Sequence, residues 1–260
     1  MIKWDYVIPL CCLFDLLLFC MKVTICNLSH WYSNQGKEPL WVFRNFSLQI
    51  KTGEFAVLLG PSGCGKSTLL RILAGLLTPC AGEVKIEDQL PQLIQERKHI
   101  AWMAQNTALL PWKDVAQNIA LAQQINPQNG RITLNIDELL ALVGLQEYAH
   151  AFPFMLSGGM QQRVQLAKVM ANNPSVLLLD ELTTGLDVSV QAGVLDLVRE
   201  LQEQLHIAMV VVSHDLGVIR LLAGRTMVMK DGQVVESGLT DQVLEDPHHP
   251  YTQLLVASMT

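Results

Sequence analysis

The chain has 260 residues, half of them apolar, enough for one large domain or for a domain carrying an inserted one. Its 18 basic and 24 acidic residues leave a net charge of -6, and no Lys/Arg-rich run appears. This argues against nucleic acid as the main partner, because such binding rests on clustered cations. The six cysteines (Cys11, Cys12, Cys20, Cys26, Cys64 and Cys80) form no CxxC pair and read as free thiols in a reducing compartment.

The first twenty residues differ in texture from the rest. Residues 7–20, VIPLCCLFDLLLFC, are apolar but short, and Pro9 and Asp15 interrupt them. A spanning helix wants roughly 18 or more apolar residues, and a signal peptide wants a basic start and a small-residue cleavage site. We read residues 1–20 as a dispensable extension, or as sequence preceding a true start at Met21, in preference to a membrane anchor. The domain proper is then expected over 21–260.

In chain order, residues 23–28 and 46–50 alternate as strands do, with a Thr52-Gly53 turn after the second. Residues 55–59 form a continuous apolar run suited to a buried central strand. A glycine-rich loop and a helix over about 66–76 follow. Pro79 and Gly82 mark a turn, and residues 100–103 a short strand. From about 106 to 171 no strand is evident. Asp114 can cap a helix through Leu121, NPQNG (126–130) is a loop, and 136–143 reads as helix closed by Gly144. The block 107–160 is therefore expected to be an all-helical insertion. Alternation then returns: strand 176–179, helix 188–204, strand 207–212, helix 216–222, and two short strands flanking Asp231-Gly232. Strands alternating with helices predict an α/β fold with a mainly parallel sheet.

Three motifs carry chemistry. GPSGCGKST, residues 60–68, fits G-x-x-x-x-G-K-[ST] between a predicted strand and helix. Gly60, Gly63 and Gly65 allow successive N–H groups to converge on an anion, and the helix start adds positive potential. Lys66 supplies a full charge for phosphates, Ser67 a hydroxyl for Mg²⁺, and Thr68 a further donor; Pro61, Ser62 and Cys64 complete the loop. SVLLLDELTTGLD, residues 175–187, ends an apolar strand in Asp180-Glu181. Alone this pair reads equally well as a solvated acidic turn. Beside a phosphate loop, Asp180 becomes a candidate to hold Mg²⁺ and Glu181 to orient water or take its proton. LSGGMQQRV, residues 156–164, places Ser157, Gly158 and Gly159 at a helix start, which can bind anionic oxygens or be no more than a cap.

Taken together, these motifs resemble the ATP-binding-cassette family, the ATPase subunits of ABC transporters, in order and spacing over nearly all of 22–260. GPSGCGKST resembles its Walker A loop, VLLLDE its Walker B strand, LSGGMQQRV its signature and TTGLD its D-loop, with Asp187 the matching acid. Gln105 matches the Q-loop glutamine, a ligand to metal and a link to the γ-phosphate, and His214 in VVVSHD the switch histidine. Tyr32, or its neighbour Trp31, lies where the family stacks an aromatic ring on adenine.

The resemblance implies a P-loop NTPase sheet of RecA type with an antiparallel N-terminal β subdomain and an inserted helical subdomain. It also implies ATP and Mg²⁺, with Glu181, His214, Lys66 and Gln105 as catalytic residues. Two cassettes would pair head to tail, so that Ser157, Gly158 and Gly159 face the partner's nucleotide. Leu182 departs from the family, which usually has Pro after the catalytic Glu, and Ser213 replaces a more usual Thr.

The resemblance divides over solute. Residues 109–122, LLPWKDVAQNIALA, are similar to importers of the nitrate, sulfonate and taurine branch. Residues 234–258 are similar to the peptide and nickel importer branch, and closer still to an ABC subunit of the phosphonate carbon–phosphorus lyase system. His248 and His249 read as a loop before Pro250 rather than metal ligands. The expected partners are a second cassette, transmembrane permease subunits and a separate solute-binding protein, at the cytoplasmic face of the membrane. The alternatives are a soluble accessory ATPase and a non-transport cassette protein.

Overall fold

The computed structural model describes residues 21–33, 38–106, 108–125, 134–182, 186–222 and 224–259. The expected extension at 1–20, the NPQNG loop and residues 183–185 of TTGLD lie outside the described residues.

Two sheets organise the chain. The first is antiparallel, in the order β2-β1-β4, from β1 (Met21–Tyr32), β2 (Leu40–Lys51) and β4 (Ala81–Ile86). The second has six strands: β3 (Phe55–Leu59), β5 (Ile100–Met103), β6 (Val176–Asp180), β7 (Ala208–Val212), β8 (Arg225–Lys230) and β9 (Gln233–Leu239). Their order is β5-β6-β7-β3-β8-β9, parallel through β8, with β9 returning antiparallel across the Asp231-Gly232 turn.

The apolar runs seen in the sequence are apolar because both faces of this sheet are covered. Phe55, Val57 and Leu59 of β3 point into a core shared with the helices, while Ala56 and Leu58 point into a second core under the antiparallel sheet. The same alternation splits Leu177 and Leu179 from Val176 and Leu178 in β6, and Met209 and Val211 from Val210 and Val212 in β7. A one-residue slip of any of these strands would exchange the two cores, so the register is strongly specified.

Helices fill the connections: α1 (Lys66–Leu73), α2 (Pro91–Glu96), α3 (Val115–Gln124), α4 (Ile136–Leu142), α5 (Gly158–Met170), α6 (Val188–Leu205), α7 (Leu216–Leu222), α8 (Thr240–Glu245) and α9 (Pro250–Met259). Asp114 caps α3 in a full capping box with Gln117. Among the described residues between β5 and β6 there are helices and turns and no strand.

The sequence expectations omit β4, α2, α8 and α9, begin β2 six residues late, and run α1 three residues too far. His248 and His249 lie before α9: their backbone N–H groups donate to the Glu236 carboxylate, and His249 Nδ1 accepts from Tyr251 N–H.

The antiparallel sheet is tied to the central one through Glu87. Burial disfavours its charged form, but hydrogen bonds from Lys22, Ser175 and His99 outweigh burial and lower its pKa from 4.5 to about 2. A carboxylate depressed on folding stabilises the fold above its unfolded pKa, and this contribution is lost as pH falls from 4.5 towards 2. Glu87→Gln is expected to cost roughly 1 kcal/mol at neutral pH, after solvent screening of a partly exposed cluster. Thermal unfolding of both proteins at neutral and acid pH checks this, with the gap closing at the acid end.

Candidate functional site

Parallel strands collect the chemistry along one edge of the sheet. The carboxyl end of β3 runs into the phosphate loop, that of β6 into Asp180-Glu181, that of β7 into Ser213-His214, and that of β5 into Gln105. Because β7 lies between β6 and β3, all of these ends open on one crevice, the usual ligand position in open α/β sheets.

The crevice is a cavity of about 340 Å³ lined by Ser62, Gly63, Gly65, Lys66, Ser67 and Thr68 of the loop, by Tyr32, Leu40 and Val42 of the antiparallel sheet, and by Glu181 and Val212. Gly63 and Gly65 hold left-handed backbone, at φ 83° and 109°. A Cβ on Gly65 would lie 2.8 Å from the Phe43 ring, and one on Gly60 2.5 Å from the Met229 carbonyl oxygen. These two positions accept only glycine if the loop is to sit this close to its neighbours.

Lys66 is buried, and its ammonium spans the loop, donating to the carbonyls of Gly60 at 2.7 Å and Pro61 at 2.8 Å. Cys64 is buried beneath it, with its Sγ 3.8 Å from Nζ. Pro61, Ser62 and Ser67 are exposed at the loop's surface.

Glu181 is the meeting point of three strands. Gln105 Nε2 donates to its Oε2 at 2.9 Å, and His214 Nδ1 lies 3.4 Å from its Oε1. Its own N–H donates to Val212 O at 3.0 Å while its φ is 50°, a left-handed value uncommon for a residue with a Cβ. Burial first, and then the neighbouring Glu181 charge, raise the pKa of Asp180, whose carboxylate is hydrogen-bonded to Ser67. Below His214, the Ser213 hydroxyl accepts from Asp215 N–H at 3.1 Å. Gln191 donates to the Asp215 carboxylate at 2.9 Å and, with backbone N–H groups, lowers its pKa.

Strand alternation places Tyr32 and Trp31 on opposite faces of β1. Tyr32 faces the cavity, its hydroxyl 3.5 Å from Thr68 Oγ1, whereas Trp31 turns to the other face and packs on Trp41 at 4.8 Å. The cavity also uses Leu40 and Val42, which lie upstream of the second strand as the sequence predicts it, from residue 46. The apolar run LWVF at 40–43, rich in β-branched and aromatic residues, is the signal that would have found them.

Ser157, Gly158, Gly159 and Asp187 are not among the residues that line this cavity. Ser157 caps α5, its hydroxyl accepting from Met160 N–H at 3.3 Å, and both it and Gly158 are exposed. Gly159 is buried at a point where a Cβ would run into Val190 of α6. Asp187 is exposed at the N-cap position of α6 and makes no side-chain cap bond.

A phosphate loop at the end of a central parallel strand, an acidic pair on the neighbouring strand end and an aromatic ring across the cleft define a P-loop nucleotide-binding protein. Comparison with known proteins refines that class. Residues 43–184 match the model of the family described as ABC transporter. The chain is 41% identical to the phosphonates utilization ATP-binding protein PhnK of Escherichia coli (strain K12), over 91% of this chain and 97% of that protein. It is 38% identical to the methionine import ATP-binding protein MetN 2 of Pectobacterium atrosepticum, over 86% of this chain and 69% of that one. Among solved structures, the dimeric post-hydrolysis state of the ATP-binding cassette MJ0796 bound to ADP and Pi superposes with a TM-score of 0.73. It shares 32% identity and covers 84% of this chain and 98% of its own. The chain belongs to the ABC transporter family and is an ATP-binding cassette ATPase.

Proposed function

We propose that this chain energises a membrane importer, closing head to tail with a second cassette around two ATP molecules and reopening on hydrolysis. The observation that carries this reading is the separation within one chain of two phosphate-binding elements. The loop 60–68 contributes to the cavity, whereas Ser157 and Gly158 are exposed elsewhere, at the start of α5. A helix start with an exposed hydroxyl suits the γ-phosphate of a nucleotide held by another copy. The dimeric form of the related cassette supports the same arrangement.

In this reading, Tyr32 stacks on adenine and the loop N–H groups cradle the phosphates. The β- and γ-phosphates take over the Lys66 ammonium from the Gly60 and Pro61 carbonyls. Ser67 and Asp180 offer hard oxygen donors one hydrogen bond apart, a set that fits Mg²⁺ completed by phosphate oxygens and water. When bound, the ion supplies charge neutralisation to the triphosphate. Glu181 orients the attacking water and accepts its proton, Gln105 and His214 hold the Glu181 carboxylate in place, and Asp187 faces the partner. ATP thus favours the closed pair, and hydrolysis withdraws that preference.

Among the described residues no helix is long and apolar enough to cross a membrane. A separate permease would therefore hold the chain at the cytoplasmic face, with a solute-binding protein delivering cargo. The match to PhnK over nearly its whole length favours a second reading, an accessory ATPase of a phosphonate-processing complex that moves no solute.

The deciding experiment is recovery of tagged Glu181→Gln from detergent-solubilised membranes of the native host with ATP present. A multi-span permease in the eluate is the expected result. Soluble phosphonate-metabolism subunits without a permease would overturn the importer reading in favour of the accessory one.

A further inference from the structure

We infer that Gln165 and Lys168, two donors on one face of α5, are positioning residues for turnover. They grip the segment that carries Gln105 and so fix its hold on the Glu181 carboxylate. The inference rests on the reading of Glu181 as the group that orients water and takes its proton, with Gln105 holding it.

Gln105 lies just beyond the end of β5 and is exposed. Its Nε2 donates to Glu181 Oε2 at 2.9 Å, so the position of its backbone decides whether the amide reaches the carboxylate. Two contacts from α5 bear on that backbone. Gln165 Nε2 donates to the carbonyl of Ala104, the residue before Gln105, at 3.2 Å. Lys168 Nζ donates to the carbonyl of Ala108, on the other side of Gln105, at 2.7 Å. Gln165 and Lys168 stand about one turn apart on α5, just past the LSGGMQQRV stretch, so both reach the same way.

Packing alone accounts for neither contact. Gln165 is 3% exposed, and its Oε1 is buried with no hydrogen-bond partner among the described residues. A buried amide oxygen left unpaired costs free energy that an apolar side chain of the same size would not. Lys168 is half-buried, and burial lowers its pKa, so the ammonium gives up water to reach Ala108. A lysine in the last turn of α5 could meet the helix carbonyls equally well from solvent. Both side chains thus lose hydration to the same end, the fixing of a main-chain carbonyl on either side of Gln105.

The test measures steady-state ATP turnover and thermal unfolding of the full chain and of Gln165→Leu, Lys168→Met and Lys168→Arg, with Gln105→Ala as reference. We expect Gln165→Leu to lower kcat roughly three- to tenfold, the worth of one hydrogen bond, with KM for ATP unchanged. Its thermal midpoint should be no lower than the parent's, because the unpaired oxygen is gone. A residue that served packing alone would not slow turnover in an equally stable protein. Lys168→Met should slow turnover by a similar factor, and Lys168→Arg, which keeps a donor, should stay within about twofold of the parent. Either slowing substitution added to Gln105→Ala should cost nothing further, because each acts through Gln105.

Parent turnover in Gln165→Leu and Lys168→Met, where Gln105→Ala is slow, would overturn the inference alone. An undiminished extra loss in the Gln105→Ala background would overturn it as well. The Lys168 pair reads the same segment independently, so the inference stands or falls on it even where Gln165→Leu does not fold. Parent turnover in Gln105→Ala would instead overturn the reading of Gln105, and this inference with it.

Discussion

Glu181→Gln is expected to lower ATP turnover by at least about 10²-fold, the usual yield of a positioned proton acceptor, while leaving ATP binding intact. The carboxylate that Gln105 and His214 both contact is the group that can take a proton from water at the cavity wall. An amide keeps the size and one hydrogen-bond acceptor of that group but not its charge. ATP that cannot be split keeps favouring the closed state, so the variant should elute as a dimer with ATP and as a monomer without it. Size-exclusion chromatography with light scattering measures this, beside a phosphate-release assay. Turnover at the parent rate would remove Glu181 from the chemistry.

Lys66→Ala should abolish measurable nucleotide binding, a loss of at least about 10²-fold for a buried charge that no neighbour replaces. The side chain is buried, and its ammonium is the hydrogen-bond donor that joins the two ends of the loop through the Gly60 and Pro61 carbonyls. Truncation removes the charge proposed to meet the phosphates and also leaves those carbonyls without this donor. Titration with a fluorescent ATP analogue measures the loss. An unchanged thermal midpoint without nucleotide would show that the loss belongs to the site and not to the fold. An affinity within a fewfold of the parent would mean that the loop N–H groups alone hold the triphosphate.

Much of the fold is legible in the sequence because the central strands are uniform apolar runs with sharp ends. β3 and β5 have the expected boundaries, β3 lying between Glu54 and Gly60 and β5 starting after the polar His99. β4 is not legible, since in AGEVKI only Val84 and Ile86 are buried and the edge position imposes no pattern on the rest. α9 escapes because Pro250 reads as a loop marker, whereas at the first position of a helix proline is well tolerated. The loop residues of the site are legible from local spacing. The joining of Gln105, Glu181 and His214 is not, since it depends on the order of β5, β6 and β7, which no single stretch of sequence encodes. That Tyr32 and not Trp31 lines the cavity likewise depends on which face of β1 meets the phosphate loop.

The left-handed backbone at Glu181 has an energetic side. A residue with a Cβ costs about 1–2 kcal/mol in that region, so the resting site is held above its relaxed level by the Val212 hydrogen bond and the contacts of its side chain. Proline at the next position would push Glu181 towards extended backbone. Leu182 imposes no such restriction and is buried in the helix-side core, anchoring the chain just beyond the strained peptide. The residue that reads as a missing restraint thus leaves Glu181 in a backbone conformation that a following proline would disfavour. A ligand that turned the Glu181 peptide would recover that energy, biasing the turn by roughly five- to thirtyfold without any added contact.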